Sequence, residues 1–167
     1  MIRKTAILLC AACFAFGCLW FGNGSARAAL PKADKVVVIK CRRLMMLLRD
    51  GEIFKTYRIS LGGQPNGPKT MAGDNRTPEG SYVLDSRNPK SKYHLALHIS
   101  YPNETDILNA HKRGVSPGGG IMIHGLPQGR VAPVFSDWTN GCIAVSNKEI
   151  EEIWQFVQDG TPIEIKP

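Results

Sequence analysis

Short apolar runs separated by turn residues predict a fold made mainly of β-strands. Apolar residues fill runs at 36–39, 44–48 and 82–84, and the segment 162–165 is predicted to be a closing strand. An Asp-Gly pair at 50–51 follows the second run and is typical of a two-residue hairpin turn, so we expect 53–59 to form the returning strand.

The segment 93–99 alternates at the strand period of two. This alternation predicts one face made of Tyr93, Leu95, Leu97 and Ile99. The opposite face then holds His94, Ala96 and His98.

Two segments carry helix signals. Asn103 can cap a short helix that extends to Lys112. Residues 146–149 have the sequence of a capping box, and an apolar stripe at helical spacing follows, made of Ile150, Ile153, Trp154 and Val157. We therefore predict one mainly β domain, a β-sandwich or barrel, with one or two peripheral helices.

A long segment between Gly62 and Gly80 is rich in glycine, proline, asparagine and lysine. Stretches of this length without periodicity are usually functional or mobile inside compact domains. A second glycine-rich stretch, at 117–120, lacks the spacing of a nucleotide loop and predicts a turn into a strand at 121–123.

The first 28 residues have the organisation of an export signal. Arg3 and Lys4 precede an apolar run of about 16 residues, and Ala26-Arg27-Ala28 supplies an A-x-A cleavage site. We predict a signal peptide at 1–28, a domain at 29–167, and a mature protein in the periplasm or cell envelope without an integral membrane segment. An uncleaved anchor is the alternative, although the run is short of the ~20 residues that span a bilayer.

Composition argues against a nucleic-acid partner. The net charge of +7 falls to +4 over residues 29–167, where 18 basic residues oppose 14 acidic ones. These basic residues form no continuous run and do not alternate with aromatic residues. The apolar fraction of 43% with 21% charged residues indicates a folded chain.

His124 and Cys142 are the residues whose surroundings suit nucleophilic catalysis. A cysteine nucleophile needs a base that takes its proton and N–H groups that stabilise the oxyanion. Gly141 removes a side chain next to Cys142, and Gly125 follows His124 at the end of a predicted strand, so that the ring can project into a cleft. The spacing alone leaves open that both side chains are buried and structural.

Two motifs extend this pattern. Residues 121–147 read IMIHGLPQGRVAPVFSDWTNGCIAVSN, in which a histidine precedes a Ser/Thr-x-Gly-Cys element at 139–142. Residues 76–80 read RTPEG, which is similar to a Thr-Pro-x-Gly signature. Together these motifs resemble the YkuD family of L,D-transpeptidases over nearly all of residues 33–167, most closely a compact branch with Asp-Trp-Thr-x-Gly-Cys.

The resemblance implies an L,D-transpeptidase-like β-fold that acts on peptidoglycan stem peptides. Cys142 would attack the carbonyl between the third residue, a diaminopimelate, and D-Ala at position four, with His124 as proton acceptor and donor. The N–H groups of Gly141 and Cys142 are the expected oxyanion donors, and no metal or organic cofactor is required. The acyl group would pass to an amine on another stem or on a wall-anchored protein, or to water in a hydrolase, and the sequence does not separate these acceptors.

Further residues are predicted to contribute to the substrate cleft, namely Trp138, Thr139, Asn140, Gly125 and His98. A core position is the alternative for Trp138. A zinc site at His94 and His98 is disfavoured because their segment alternates like a strand and lacks the HExxH motif.

Two positions depart from the usual family pattern. Asn140 stands where histidine is common, and Ala144 stands where a basic or polar residue, often arginine, is expected to help hold a substrate carboxylate. Which cation replaces that arginine stays open, and the candidates are Arg76, Arg113 and Arg130.

A function of another class also stays open. Only Cys41 and Cys142 remain once the predicted signal is removed, and an oxidising compartment favours their pairing. A Cys41–Cys142 disulfide would make the domain a non-catalytic wall-binding module.

Overall fold

A computed structural model describes residues 30–127, 129 and 136–167. The predicted export signal and Arg130 lie outside the described residues. Within them the chain forms eight strands and two α-helices, in the order β1 (Lys35–Ile39), β2 (Leu44–Arg49), β3 (Glu52–Arg58), β4 (Gly80–Ser91), β5 (His94–Ile99), α1 (Glu104–Lys112), β6 (Met122–His124), β7 (Ile143–Ala144), α2 (Asn147–Phe156) and β8 (Thr161–Lys166). The predicted mainly β class is confirmed.

The strands form one curled sheet in the order β3-β2-β1-β8-β4-β5-β6-β7. Neighbouring strands pair antiparallel except for β1 with β8 and β6 with β7, which are parallel. Bridges from Ser60 to Ala144 and from Gly62 to Thr139 connect the segment after β3 to the β7 edge. The two ends of the sheet therefore approach each other beside Cys142.

Local signals account for the hairpin and both helices. Asp50 and Gly51 have φ angles of 52° and 81°, which match the two-residue turn predicted between β2 and β3. Asn103 and Ser146 each cap a helix, and each cap is a reciprocal capping box. Helix α2 buries Ile150 and Ile153 against the core, while Trp154 packs at its margin.

Neither helix in the described ranges has the length and the hydropathy that a bilayer-crossing segment requires.

Two buried lysines hold the long segment between Gly62 and Gly80. The Nζ of Lys40 donates to the carbonyl oxygens of Gly67 and Thr77, at 2.7 and 2.9 Å, and to Glu79 Oε1 at 2.8 Å. The Nζ of Lys69 donates to Asp74 Oδ1 at 2.8 Å, and both side chains are almost fully buried. Because a buried charge is tolerated only when it is paired, these contacts fix the segment against the sheet.

Candidate active site

Parallel pairing of β6 and β7 places His124 and Cys142 on the same face of the sheet. His124 is registered with Ala144, and Cys142 lies two residues before Ala144. Side chains two residues apart on a strand point to the same side, so Cys142 and His124 face the same space. Strand pairing therefore brings together the two side chains, His124 and Cys142, that the sequence places at separate strand ends.

Two cavities meet at these two residues. The first, the aromatic cavity, has a volume of about 410 Å³ and is lined by His124 and Cys142 together with Tyr93, Pro127, Trp138, Thr139 and Asn140. The second, the hairpin groove, has a volume of about 420 Å³ and extends from the same dyad along the turn between β4 and β5. A substrate can thus occupy both sides of the thiol.

A hydrogen bond to backbone fixes the tautomer of His124. Its Nδ1 lies 2.7 Å from the carbonyl oxygen of Gly125. A carbonyl only accepts, so the neutral ring carries its proton on Nδ1 and leaves Nε2 as a free base. Burial lowers the pKa of His124, while the Gly125 carbonyl opposes this shift by favouring the protonated ring. The imidazole is therefore neutral and able to accept a proton near pH 7.

Cys142 is also held in its neutral form. Burial raises the pKa of the thiol, and the Met122 backbone N–H and the Lys69 ammonium oppose the rise. The thiol donates to the carbonyl oxygen of Gly120, with a sulfur–oxygen distance of 3.7 Å. The two shifts together favour a thiol–imidazole pair over a thiolate–imidazolium pair.

The turn that carries Cys142 is closed by Thr139. Its hydroxyl donates to the Cys142 carbonyl at 2.7 Å and accepts the Gly141 N–H at 3.2 Å. The Gly141 N–H, which the sequence predicts as an oxyanion donor, is therefore already engaged. No partner for the Cys142 N–H is found among the described residues, which leaves it as the available donor of the two.

Gly141 is required for its conformation and for a close approach. Its φ angle is +122°, and a Cβ at this position would lie 2.6 Å from the Arg76 carbonyl oxygen. L-residues with a side chain rarely adopt such a φ angle. The lysine-anchored segment therefore packs directly on the turn that presents the thiol.

An aromatic cluster surrounds the imidazole. The ring centroids of Tyr93 and Trp138 lie 4.5 and 5.8 Å from that of His124. Trp138 is thus a wall of the aromatic cavity.

Tyr93 is a site residue that the sequence pattern assigns to the wrong face. Strand β5 begins only at His94, whose φ angle is +71°, and the β4–β5 register shifts between the pairs Ser91–His94 and Asn88–Ala96. The two-residue alternation therefore does not extend to Tyr93, and its ring turns toward His124. The orientation of Tyr93 could not be predicted, because no sequence pattern marks a histidine that adopts a positive φ angle.

The other predicted cleft residues have different positions. Asn140 is exposed and lines the aromatic cavity. Gly125 is buried, and its contribution is the carbonyl that orients His124. His98 is not among the residues that line the two cavities, and its Nδ1 lies 2.7 Å from Asp85 Oδ1 on β4. A contribution of His98 to the cleft stays a prediction.

Neither Arg76 nor Arg113 lines the two cavities beside Cys142. Arg113 instead lies in a separate pocket with Lys69 and Asp106.

Cys41 and Cys142 are free thiols in this structure. Cys41 is exposed, in a 3₁₀ turn at Lys40–Arg42 after β1, and it lines neither cavity. The disulfide that would make the domain a non-catalytic module is therefore not formed here.

Across the described ranges, no group of three histidine, cysteine or acidic side chains is arranged to hold a metal ion.

The chain is similar to known proteins. The YkuD family, described as the L,D-transpeptidase catalytic domain, matches residues 33–165. An Escherichia coli protein named "Putative L,D-transpeptidase YafK" is 32% identical over 122 residues, which cover 70% of this chain and 43% of that protein. The chain thus spans less than half the length of the curated relative.

Solved structures agree with the sequence match. The helical cell shape determining protein Pgp2 from Campylobacter jejuni has a TM-score of 0.64 and 32% identity, covering 80% of this chain and 48% of that chain. An L,D-transpeptidase from Mycobacterium smegmatis, at 17% identity and a TM-score of 0.54, shares the fold over 80% of this chain and 58% of its own. The chain belongs to the YkuD family of L,D-transpeptidase catalytic domains.

Proposed function

We propose that the chain is an exported cysteine acyltransferase that acts on peptidoglycan stem peptides, with an acyl-enzyme on Cys142. The observation that carries the proposal is the shared position of Cys142 and His124 at the junction of two cavities, with Nδ1 of His124 committed to a backbone carbonyl. This geometry leaves Nε2 as the base. The segment 1–28 would direct the chain to the periplasm or cell envelope.

The neutral dyad defines the order of proton transfers. Sγ of Cys142 attacks the carbonyl carbon of the donor peptide bond as its proton passes to Nε2 of His124. The oxyanion that forms is stabilised by the Cys142 N–H. Collapse to a thioester expels the D-Ala amine, which receives from His124 the proton that came from the Cys142 thiol.

The second half-reaction regenerates the enzyme. An acceptor amine, or water, enters one of the two cavities and loses its proton to Nε2 while it attacks the thioester. The Cys142 thiolate leaves and is reprotonated by His124. An amine on a neighbouring stem or on a wall-anchored protein yields a new linkage, whereas water yields a shortened stem.

Digestion of purified cell-wall sacculi tests the proposal. The mature chain is incubated with sacculi, and the soluble and insoluble products are mapped by mass spectrometry beside a Cys142→Ala control. We expect stems to lose D-Ala only with the wild-type chain, and the mass of each product identifies its acceptor as amine or water. Identical products from both proteins would contradict the assignment of Cys142.

An acyl-enzyme is measured separately. A carbapenem-like β-lactam that mimics the donor should add its mass to the wild-type protein and not to Cys142→Ser, since a neutral hydroxyl is far less nucleophilic than a thiolate. Adduct formation on the serine variant at the wild-type rate would refute the mechanism even if sacculi are modified.

A further inference from the structure

The two cavities beside the dyad differ in charge. The described residues that line the aromatic cavity include no lysine, arginine or carboxylate. The hairpin groove contains Lys90, at the end of β4, and Lys92, in the turn before β5, and none of the described residues that line it is acidic. A negatively charged group beside the thiol is therefore favoured on the hairpin side.

These two lysines have no carboxylate partner in the part of the chain that the structure describes. Other exposed lysines of the sheet do have one. Lys35 reaches Glu164 at 2.8 Å and Lys55 reaches Glu152 at 3.0 Å. The charges of Lys90 and Lys92 are thus available to an anionic ligand.

Position 144, two residues after Cys142, cannot supply a cation here. It is Ala144, which is 2% exposed. Arg76 and Arg113 line neither cavity, and Arg130 lies outside the described residues. In the described residues, the cations that share a groove with Cys142 are Lys90 and Lys92.

We infer that Lys90 and Lys92 bind a carboxylate of the stem peptide in the hairpin groove and thereby select the donor. This inference rests on the proposed function. Two carboxylates of a donor lie within a residue of the bond that is cleaved. One is on the side chain of diaminopimelate, and the other is the terminal carboxylate of D-Ala.

The test measures cleavage of a stem tetrapeptide that ends in diaminopimelate and D-Ala. We compare wild type with Lys90→Gln, Lys92→Gln and the double variant, with Lys148→Gln as a matched control, because Lys148 is exposed and lines neither cavity. An exposed ion pair contributes up to about fivefold, so we expect about a fivefold loss of kcat/KM per lysine and about twentyfold for both, carried mainly by KM. The control should keep the wild-type value.

Two amidated peptides identify the carboxylate. One is amidated on the diaminopimelate side chain and the other at the D-Ala terminus. Wild type should lose about twentyfold on only one of them, and the double variant should process that peptide and the free acid equally. A double variant that retains the wild-type kcat/KM, or that still discriminates between the peptides, overturns the inference.

Binding to Cys142→Ala separates this inference from the proposed function. If wild type does not cleave the tetrapeptide, the proposed reaction fails, but the affinity of Cys142→Ala for the same peptide still reports on the lysines. Removal of both lysines from Cys142→Ala should weaken binding about twentyfold. Unchanged affinity would refute the lysine assignment whatever the reaction is.

Discussion

Replacing Gly141 by alanine tests whether the turn before the thiol needs a residue without a side chain. A new Cβ would lie 2.6 Å from the Arg76 carbonyl oxygen and 3.2 Å from Ile121 Cδ1. The Arg76 oxygen is a backbone atom in a segment anchored by Lys69 and Asp74, so it cannot rotate away as a flexible side chain can.

The cost has two sources. A non-glycine residue in this φ region costs about 1–3 kcal/mol, and an added methyl group in a packed site costs about 1–3 kcal/mol. We therefore expect Gly141→Ala to lower the free energy of unfolding by roughly 2–6 kcal/mol. The matched control is Gly160→Ala, at φ +92°, where a Cβ meets nothing within 4 Å. That control pays only the conformational cost of about 1–2 kcal/mol.

Urea unfolding measures the loss of stability. The rate of β-lactam adduct formation per folded molecule measures the effect on acylation. Displacement of the turn moves both Sγ and the Cys142 N–H, so we expect Gly141→Ala to acylate at least ~100-fold more slowly, as when an oxyanion donor is lost. Gly160→Ala should acylate at the wild-type rate. Equal stability losses in the two variants would refute the close approach, and normal acylation by Gly141→Ala would refute its mechanistic role.

Three further predictions follow from the dyad and its surroundings. Because burial lowers the pKa of His124, the acylation rate of wild type should stay level as pH falls to 6.5 and decline only below it. His124→Gln should lower the level rate at least ~100-fold and abolish the decline at acidic pH. A folded variant with near-normal acylation would mean that another base serves Cys142. Cys41→Ala should acylate normally, and lost acylation in a folded protein would reopen the disulfide interpretation. Lys69→Met leaves Asp74 buried without its cation and should cost about 3–5 kcal/mol in urea unfolding, so that a loss under about 1 kcal/mol would show that backbone N–H groups suffice for Asp74.

Elements with local signals were predictable from the sequence. The Asp-Gly hairpin and both capping boxes depend on residues within a few positions of one another, and the structure has them where expected. Strand β6 ends at His124 as predicted, and Cys142 immediately precedes β7. The sequence pattern does not show which strands pair with each other, because pairing depends on contacts between residues distant in sequence.

Features that depend on a single backbone angle or on a buried pair could not be predicted from the sequence pattern. Tyr93 changes face because His94 adopts a positive φ angle. Lys69 and Asp74 lie in a segment without periodicity, so nothing marks them as a buried ion pair. The motif predicts the Gly141 N–H as an oxyanion donor and does not show that this N–H donates to the Thr139 hydroxyl.

The cation that binds the substrate carboxylate could not be predicted from the residues around Cys142, because strand pairing determines which cations lie near the thiol. The motif around Cys142 shows only that position 144, an alanine, carries no positive charge. The sheet supplies one from about fifty residues earlier in the chain, because β5 pairs with β6 and registers Ala96 with His124. This register brings the β4–β5 turn, with Lys90 and Lys92, to the groove that holds the thiol. A cation that β7 does not carry can thus be supplied by the hairpin without any change inside the motif, and the amidated peptides test whether Lys90 and Lys92 supply it in this chain.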